Sequence, residues 1–304
     1  MNAEEKKTRC GYVALVGRPN AGKSTLLNRV LGQKVSIVTP KPQTTRNRIL
    51  AVHNVEGDQI VFLDTPGLHR PRGSLGRYMV EAAASAILEA DLVAFLIDMA
   101  EPGRPPGFTE EEEEIAARLQ AARVPILALP NKVDLVADKK RLLPVMERAA
   151  ALEGVAEVIP ICAFDGDGVE LFVDAVRGRL PEGPRLYPDD VLSDQAERFF
   201  VAELVREAVT ELTRQEIPYH SAVVIERFVE EKTRCSVHAT IHVERASQRG
   251  ILIGKHGVMI KEIGIRARDA AEKFLGCRVD LMLHVDVSPG WTDGPEGLKR
   301  MGYE

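Results

Sequence analysis

Eight residues constrain this chain more than any others: Gly17-Arg-Pro-Asn-Ala-Gly22-Lys23-Ser24 directly follows an apolar run and opens a helical pattern. In that strand-to-helix setting the spacing G-x-x-x-x-G-K-S predicts a phosphate-binding loop. Its glycines let successive backbone N–H groups close around phosphate oxygens. Lys23 brings a positive charge to the outer phosphates, and the Ser24 hydroxyl is placed to ligate Mg2+.

Around this loop, about the first 180 residues alternate short apolar runs with helical patterns. Strands are expected at Tyr12–Val16, Ile49–Val55, Gln59–Leu63, Leu92–Ile97, Ile126–Leu129 and Val158–Ile161. Helices are expected at Lys23–Leu31, Tyr78–Ala90, Glu110–Ala122, Lys139–Ala151 and Val169–Leu180. Several strands are apolar almost throughout, as strands covered on both faces are. Glu56-Gly57-Asp58 reads as a hairpin turn. The expected fold is an α/β P-loop domain on a mostly parallel six-stranded sheet with one antiparallel pair. The acidic run Glu110–Glu114 reads as a solvated first helical turn, its carboxylates against the positive end of the dipole.

Two further segments narrow the nucleotide. Asp64-Thr-Pro-Gly67 ends an apolar strand, where the carboxylate would hold Mg2+ through water and the Gly67 N–H would meet a γ-phosphate. Asn131-Lys132-Val133-Asp134 ends another strand. A carboxylate there accepts from guanine N1–H and N2–H2, a donor pair that adenine lacks, so GTP and GDP are expected rather than ATP. Leu68 occupies the position where a water-orienting glutamine often follows Asp-x-x-Gly. Slow intrinsic hydrolysis is therefore expected, with water positioned by backbone, a cation or a partner.

In the order and spacing of these motifs, the first 180 or so residues resemble the translation-factor-related GTPases. The resemblance implies that Gln43-Thr44-Thr45-Arg46 is the first switch, with Thr45 as a Mg2+ ligand beside Ser24 and Asp64, and Thr44 as the alternative. It implies that Cys162-Ala163-Phe164 is the base-contacting loop usually written Ser-Ala-x; cysteine departs from that pattern and leaves the Ala163 amide as the contact. The nucleotide-binding set is then Asn20, Ala21, Gly22, Lys23, Ser24, Thr25, Asp64, Gly67, Asn131, Lys132, Asp134 and the 162–164 loop. Relatives with the same Pro-Asn pair use the asparagine to hold K+ near the β- and γ-phosphates. Asn20 matches that position, and a loop-capping asparagine is its other reading. Asn20, Lys23 and Gly67 are the candidates for a catalytic role.

Pro181-Glu-Gly-Pro184 with Tyr187-Pro188-Asp-Asp190 marks a linker, which divides the chain into domains at 1–182 and 194–304 joined by 183–193. Beyond it Asp194–Glu216 reads as an amphipathic helix capped by Ser193 or Asp194. Strands Ala222–Val229 and Cys235–Val243, helices Arg245–Leu252 and Val258–Leu275, and strand Val279–Val287 follow. That order makes a three-stranded α+β domain with helices on one face. Gly254-Lys255-His256-Gly257 between two helices is the setting of the GXXG loop of a KH domain, which clamps the backbone of single-stranded nucleic acid. Lys255, His256 and Lys261 add positive charge there.

The overall formal charge of -5 excludes a generic polyanion binder, but it is unevenly spread. Residues 1–218 carry -6 and residues 219–304 carry +1, with six Lys/Arg against three acids over 255–278. The element order resembles the bacterial, type II KH domain. Joined to such a GTPase domain, it is the layout of a family of bacterial ribosome-assembly GTPases. The resemblance spans essentially the whole chain through GRPNAGKST, KPQTTRNRI, DTPG, NKVD, GILIGKHG and a tail carrying Trp291. It implies binding near the 3′ end of 16S rRNA, a role in small ribosomal subunit maturation, and a cytoplasmic protein with peripheral contact at the cytoplasmic face of the membrane. A reading from another class is a membrane-proximal signalling GTPase whose KH-like domain binds protein. A P-loop phosphotransferase fits Asp64 and Asn131–Asp134 poorly.

The four cysteines, Cys10, Cys162, Cys235 and Cys277, form no CxxC pair and read as mostly buried thiols in a reducing cytosol. The first ten residues hold no apolar signal core, and no apolar run is long enough to span a bilayer. A monomer is expected. His238 and His242 fall on the polar face of an alternating strand and read as exposed side chains rather than metal ligands. Trp291 reads as packing for the tail, with base stacking the alternative. Val209, Leu212 and Ile217 read as core.

Overall fold

The structure, a computed structural model, describes residues 8–100 and 107–303. Most of the N-terminal stretch read for a signal core lies outside the described residues. The chain divides into two compact units. The first takes residues up to Ser36, Thr45–Arg70 and Met79–Asp194; the second takes Ile37–Thr44, Pro71–Tyr78 and Gln195 onward.

In the first unit β1 (Cys10–Gly17), β2 (Ile49–Val55), β3 (Asp58–Asp64), β4 (Leu92–Asp98), β5 (Ile126–Asn131) and β6 (Val155–Val158) form one sheet. Their order is β2-β3-β1-β4-β5-β6. β2 pairs antiparallel with β3, and every other neighbouring pair is parallel. β3 and β5 are buried along their whole length and β1 and β4 along nearly all of it, which explains why they read as continuous apolar runs. The β2–β3 connection is a two-residue turn in which Glu56 and Gly57 both have positive φ, 49° and 97°, as a primed hairpin turn requires. β1 lies between β3 and β4, so the chain reverses its direction of winding there and a crevice opens beyond the strands' carboxyl ends.

The helices are α1 (Lys23–Leu31), α2 (Gly73–Glu89), α3 (Glu110–Ala122), α4 (Leu142–Ala150) and α5 (Val169–Arg177). Several boundaries differ from the sequence expectation, among them the end of α5 at Arg177 rather than Leu180. β6 ends at Val158 instead of spanning Val158–Ile161; Ile159 and Ile161 N–H still donate to the Ala128 and Pro130 carbonyls, but Pro130 has no N–H to return, and an Asn131–Ile161 bridge is what continues the pairing. α2 begins at Gly73 rather than Tyr78: Leu75, Met79 and Ala83 form a buried stripe at helical spacing that outweighs Pro71, Gly73 and Gly76. Lys139–Arg141 is a separate 3₁₀ turn before α4.

The second unit contains α6 (Glu197–Leu212), β7 (Ser221–Glu230), β8 (Arg234–Val243), α7 (Ala246–Ile253), α8 (Val258–Leu275), β9 (Arg278–Val287) and α9 (Pro295–Arg300). β7 pairs antiparallel with β8, and β8 runs parallel to β9. Val237, Ala239, Ile241 and Val243 are buried on one face of β8; Ile241 and Val243 share a core with Val205, Val209, Leu252, Ile263 and Ala267, and Val237 packs with Val201, Leu204 and Ala271. α6 starts later than expected, after Ala196 and without a side-chain cap; the Ser193 hydroxyl donates instead to the Leu50 carbonyl. Ten of its residues are buried, including Glu203, Arg206 and Glu207. Within this unit Val38 N–H donates to Glu207 Oε1 at 3.0 Å, and Arg206 joins Glu203 Oε1 (2.8 Å) and the Thr44 carbonyl. Trp291 is fully buried, stacked on Tyr303, with Nε1 donating to the His220 carbonyl at 3.3 Å.

A Cβ at Gly57 would meet nothing within 4 Å, so only backbone strain opposes a side chain there. Gly57→Val is expected to cost about 1–2 kcal/mol, read as a lower urea midpoint by circular dichroism.

Candidate functional site

The loop from Gly17 to Gly22 joins the centre of the sheet to α1. Asn20 sits at φ 64°, a left-handed value that asparagine tolerates better than most residues. At Gly22, φ is 99° and a Cβ would lie 2.2 Å from Asn131 Nδ2, so only glycine fits. No side chain caps α1, whose first-turn N–H groups suit an anion. Lys23 is buried and donates to the carbonyls of Gly17 (3.2 Å) and Arg18 (3.0 Å). Burial pushes its pKa down to about 8, against an opposing pull from Asp64.

Asp64, at the end of β3, is fully buried. Its Oδ2 accepts from Ser24 Oγ and Ser36 Oγ, each at 2.8 Å, and from Thr45 Oγ1 at 3.5 Å; Ser24 and Thr45 hydroxyls are 2.9 Å apart. Burial raises its pKa, countered by Lys23 and then by the three hydroxyls. Asp64 Oδ1 is buried with no hydrogen-bond partner among the described residues. A carboxylate oxygen left over beside two hydroxyls is an all-oxygen donor set that suits Mg2+. Thr44, the alternative ligand, bonds elsewhere, its Oγ1 2.8 Å from the Lys41 carbonyl and from Thr39 Oγ1. Ser36 has no motif around it and sequence reasoning missed it.

Asn131 ties two loops together. Its Nδ2 donates to the Ala21 carbonyl at 2.7 Å, and its Oδ1 accepts from Ala163 N–H at 3.0 Å. The adjacent Lys132 pairs with Asp98 Oδ2 at 2.6 Å, a partner at the end of β4 that the motifs did not reveal. Asp134 is exposed beside the buried Cys162 thiol, whose pKa rises to about 11 through burial and then the Asp134 carboxylate. Cysteine at this position thus has a side-chain neighbour in the base loop, beyond the backbone contact expected of Ala163. Arg29 of α1 donates to the Ala163 and Phe164 carbonyls, and the Phe164 ring is exposed.

Gly67 packs against the same loop: a Cβ there would lie 2.5 Å from Pro19 N and 2.6 Å from its Cα. Leu68 N–H donates to the Gly17 carbonyl at 3.1 Å while its side chain enters the core, so it presents no polar atom. Lys23, Asp64, Gly67, Asn131, Asp134 and Ala163 therefore gather at one end of one sheet.

In the second unit the loop 254–257 separates α7 from α8. Gly254, His256 and Gly257 all have positive φ, and a Cβ at Gly254 would lie 2.7 Å from Met259 Cβ. Lys255, His256 and Lys261 are exposed, α8 has no side-chain cap and no acid in its first turn, and Ile251 and Val258 expose apolar surface nearby. This is a positively biased helix N-terminus with close backbone access, flanked by apolar side chains. His238 and His242 are half-buried; His242 Nδ1 lies 3.0 Å from Ser288 Oγ. Among the described residues no cluster of three or more His, Cys, Asp or Glu could hold a metal ion.

Comparison with known proteins matches residues 12–132 to the 50S ribosome-binding GTPase family and residues 216–292 to the KH domain. The chain is 48% identical to the GTPase Era of Geotalea uraniireducens over 99% of both chains. It is 44% identical to that of Leuconostoc citreum over 98% of both. The chain belongs to the Era family of GTPases. Two solved Era structures, each 40% identical, cover 97% of this chain and 99% of their own. One, from Aquifex aeolicus and bound to GDP and AlF4−, has a TM-score of 0.91; the other, with MgGDPNP and nucleotides 1506–1542 of 16S ribosomal RNA, has 0.92.

Within an Era-family GTPase the buried Lys23 has a consequence for pH. The unfolded chain keeps that proton up to the ordinary lysine value of 10.5, whereas the folded chain releases it near 8. Between those values the unfolded state binds more protons, so stability rises with pH. Denaturant midpoints of wild type minus Lys23→Met are expected to climb from about pH 8 to 10.5 and to stay level below that window.

Proposed function

We propose that this protein is a GTP-hydrolysing switch that binds the 3′ end of 16S rRNA through its second unit and acts in small ribosomal subunit assembly. The observation that carries the nucleotide half is Asn131, whose one amide holds the phosphate loop at Ala21 and the base loop at Ala163. In this reading Ser24, Thr45 and Asp64 hold Mg2+, which neutralises charge between the outer phosphates. Lys23 and the N–H groups of Asn20–Thr25 bind the phosphates, Gly67 meets the γ-phosphate, and Asp134 with Lys132 and the 162–164 loop selects guanine. The nucleotide is exchanged between GTP and GDP, and K+ beside Asn20 serves the slow hydrolysis that Leu68 leaves unassisted.

The RNA half rests on the 254–257 loop and Lys261, and on the Era relative solved with a 16S rRNA fragment. Functional domains at 1–182 and 194–304 with a linker at 183–193 accompany this reading. Coupling between the two halves follows from chain continuity: Ser36 and Thr45 bond Asp64, and the eight residues between them pack as part of the second unit. The protein acts as a cytoplasmic monomer with peripheral contact at the inner membrane face. No helix among the described residues is long and apolar enough to cross a membrane.

Asp134→Asn is expected to lower GTP affinity at least about 100-fold, as loss of a paired polar contact in a recognition site does, and to improve xanthosine triphosphate binding in a competition assay. Gly257→Asp is the cleaner probe of RNA, because a Cβ there meets only Ile260 at 4.0 Å whereas one at Gly254 collides. It should abolish binding of a 16S 3′-end oligonucleotide and leave GTP turnover intact; retained binding would favour a protein ligand for the KH unit. Turnover in KCl should exceed that in NaCl, and equal rates would remove Asn20 from the catalytic account.

A further inference from the structure

We propose that Arg70 supplies positive charge to the γ-phosphate during hydrolysis, and that Glu110 and Glu114 of α3 hold it in reserve. The inference rests on GTP hydrolysis by the first unit and addresses the gap left there by Leu68. The segment after Gly67 is anchored on the phosphate loop, with Gly67 against Pro19 and Leu68 N–H on the Gly17 carbonyl. Arg70 lies two residues beyond Leu68. Its Nε donates to Glu114 Oε1 at 3.1 Å, and its Nη2 donates to Glu114 Oε1 at 2.5 Å and Glu110 Oε1 at 2.7 Å. Two-thirds of the side chain is exposed, so carboxylates hold it and packing does not.

On the same helix Glu111 accepts from Nε of Arg18, a residue of the phosphate loop itself, at 2.6 Å. Carboxylates on the first turns of α3 thus gather two arginines, one from the phosphate loop and one from the segment anchored on it through Gly67 and Leu68. The other acids of the run are committed elsewhere: Glu112 closes the capping box with Thr109, and Glu113 pairs with Arg148 at 2.6 Å. The acidic run is therefore more than the solvated helix start that its sequence implied. Glu110 and Glu114 are four residues apart and share one helical face, which is why one guanidinium reaches both.

In hydrolysis the water oxygen bonds to the γ-phosphorus while the bond to the β,γ-bridging oxygen breaks, and the water proton passes to the released phosphate. Negative charge spreads over the transferring oxygens, where a guanidinium is effective. Paired with two carboxylates, Arg70 has no net positive charge to offer. Exposed pairs of this kind are individually weak, so the latch can open.

The test is steady-state GTP turnover by the full chain at saturating GTP and Mg2+. Glu110→Gln/Glu114→Gln should raise kcat about threefold or more, the scale set by releasing exposed ion pairs, with GDP affinity unchanged. Adding Arg70→Ala should remove the gain, Arg70→Lys should keep part of it, and Glu113→Gln should leave kcat at the wild-type value. A double variant with kcat at or below wild type, or a gain that survives Arg70→Ala, would overturn the proposal. If the double variant melts early, Glu114→Gln alone is read by the same criteria. Wild-type turnover reports separately on the GTPase reading.

Discussion

Burying a carboxylate at the end of a central strand is unfavourable, and much of the first unit's carboxyl end is arranged around that cost. Asp64 has no access to water, so its charge must be met by protein or by a bound ion. One oxygen is surrounded by the hydroxyls of Ser24 in α1, Ser36 and Thr45. The other oxygen has no hydrogen-bond partner among the described residues. Lys23 faces the mirror problem: it is buried with only carbonyls as hydrogen-bond acceptors, and its depressed pKa records the mismatch. A buried amine and a buried carboxylate at one end of the sheet suit an anionic ligand accompanied by a cation.

Close packing does the rest of the positioning. Gly22 touches the Asn131 amide and Gly67 touches Pro19 at distances that exclude any side chain. The loops can therefore share Asn131 as a common anchor, with Arg29 holding the base loop from the far end of α1. Departures from the usual GTPase pattern are absorbed locally. Leu68 turns into the core, and Cys162 keeps a neutral thiol next to Asp134 because burial and the carboxylate both oppose its ionisation.

The second unit solves a different problem, the burial of a helix with charged residues on one side. Arg206 and Glu203 form a nearly buried ion pair, and Arg206, Glu207 and the carbonyls of Thr210 and Thr213 meet the segment Ile37–Thr44. Such pairs add little net stability relative to apolar replacements, but removing one partner leaves the other charge buried and unpaired. They hold the segment Ile37–Thr44 in the same unit as the KH fold, while the sheet's apolar face and the Trp291–Tyr303 stack build its core.

The sequence by itself determined the strand and helix content, the phosphate loop, the guanine and GXXG motifs and the KH element order. Each is written in local spacing or periodicity, which survives without knowledge of distant partners. Long apolar strands such as β4 and the helix α8 were legible for that reason. Only the tertiary structure decided that Thr45 rather than Thr44 stands beside Asp64, that Ser36 and Asp98 join the site, that Glu110, Glu111 and Glu114 grip arginines from two other loops, and where β6 and α2 begin and end. Those outcomes depend on contacts between residues tens of positions apart, such as Ser36 with Asp64 or Arg70 with Glu114. A carboxylate in a run of five reads the same whether it faces water or a guanidinium, and chain folding alone selects between them.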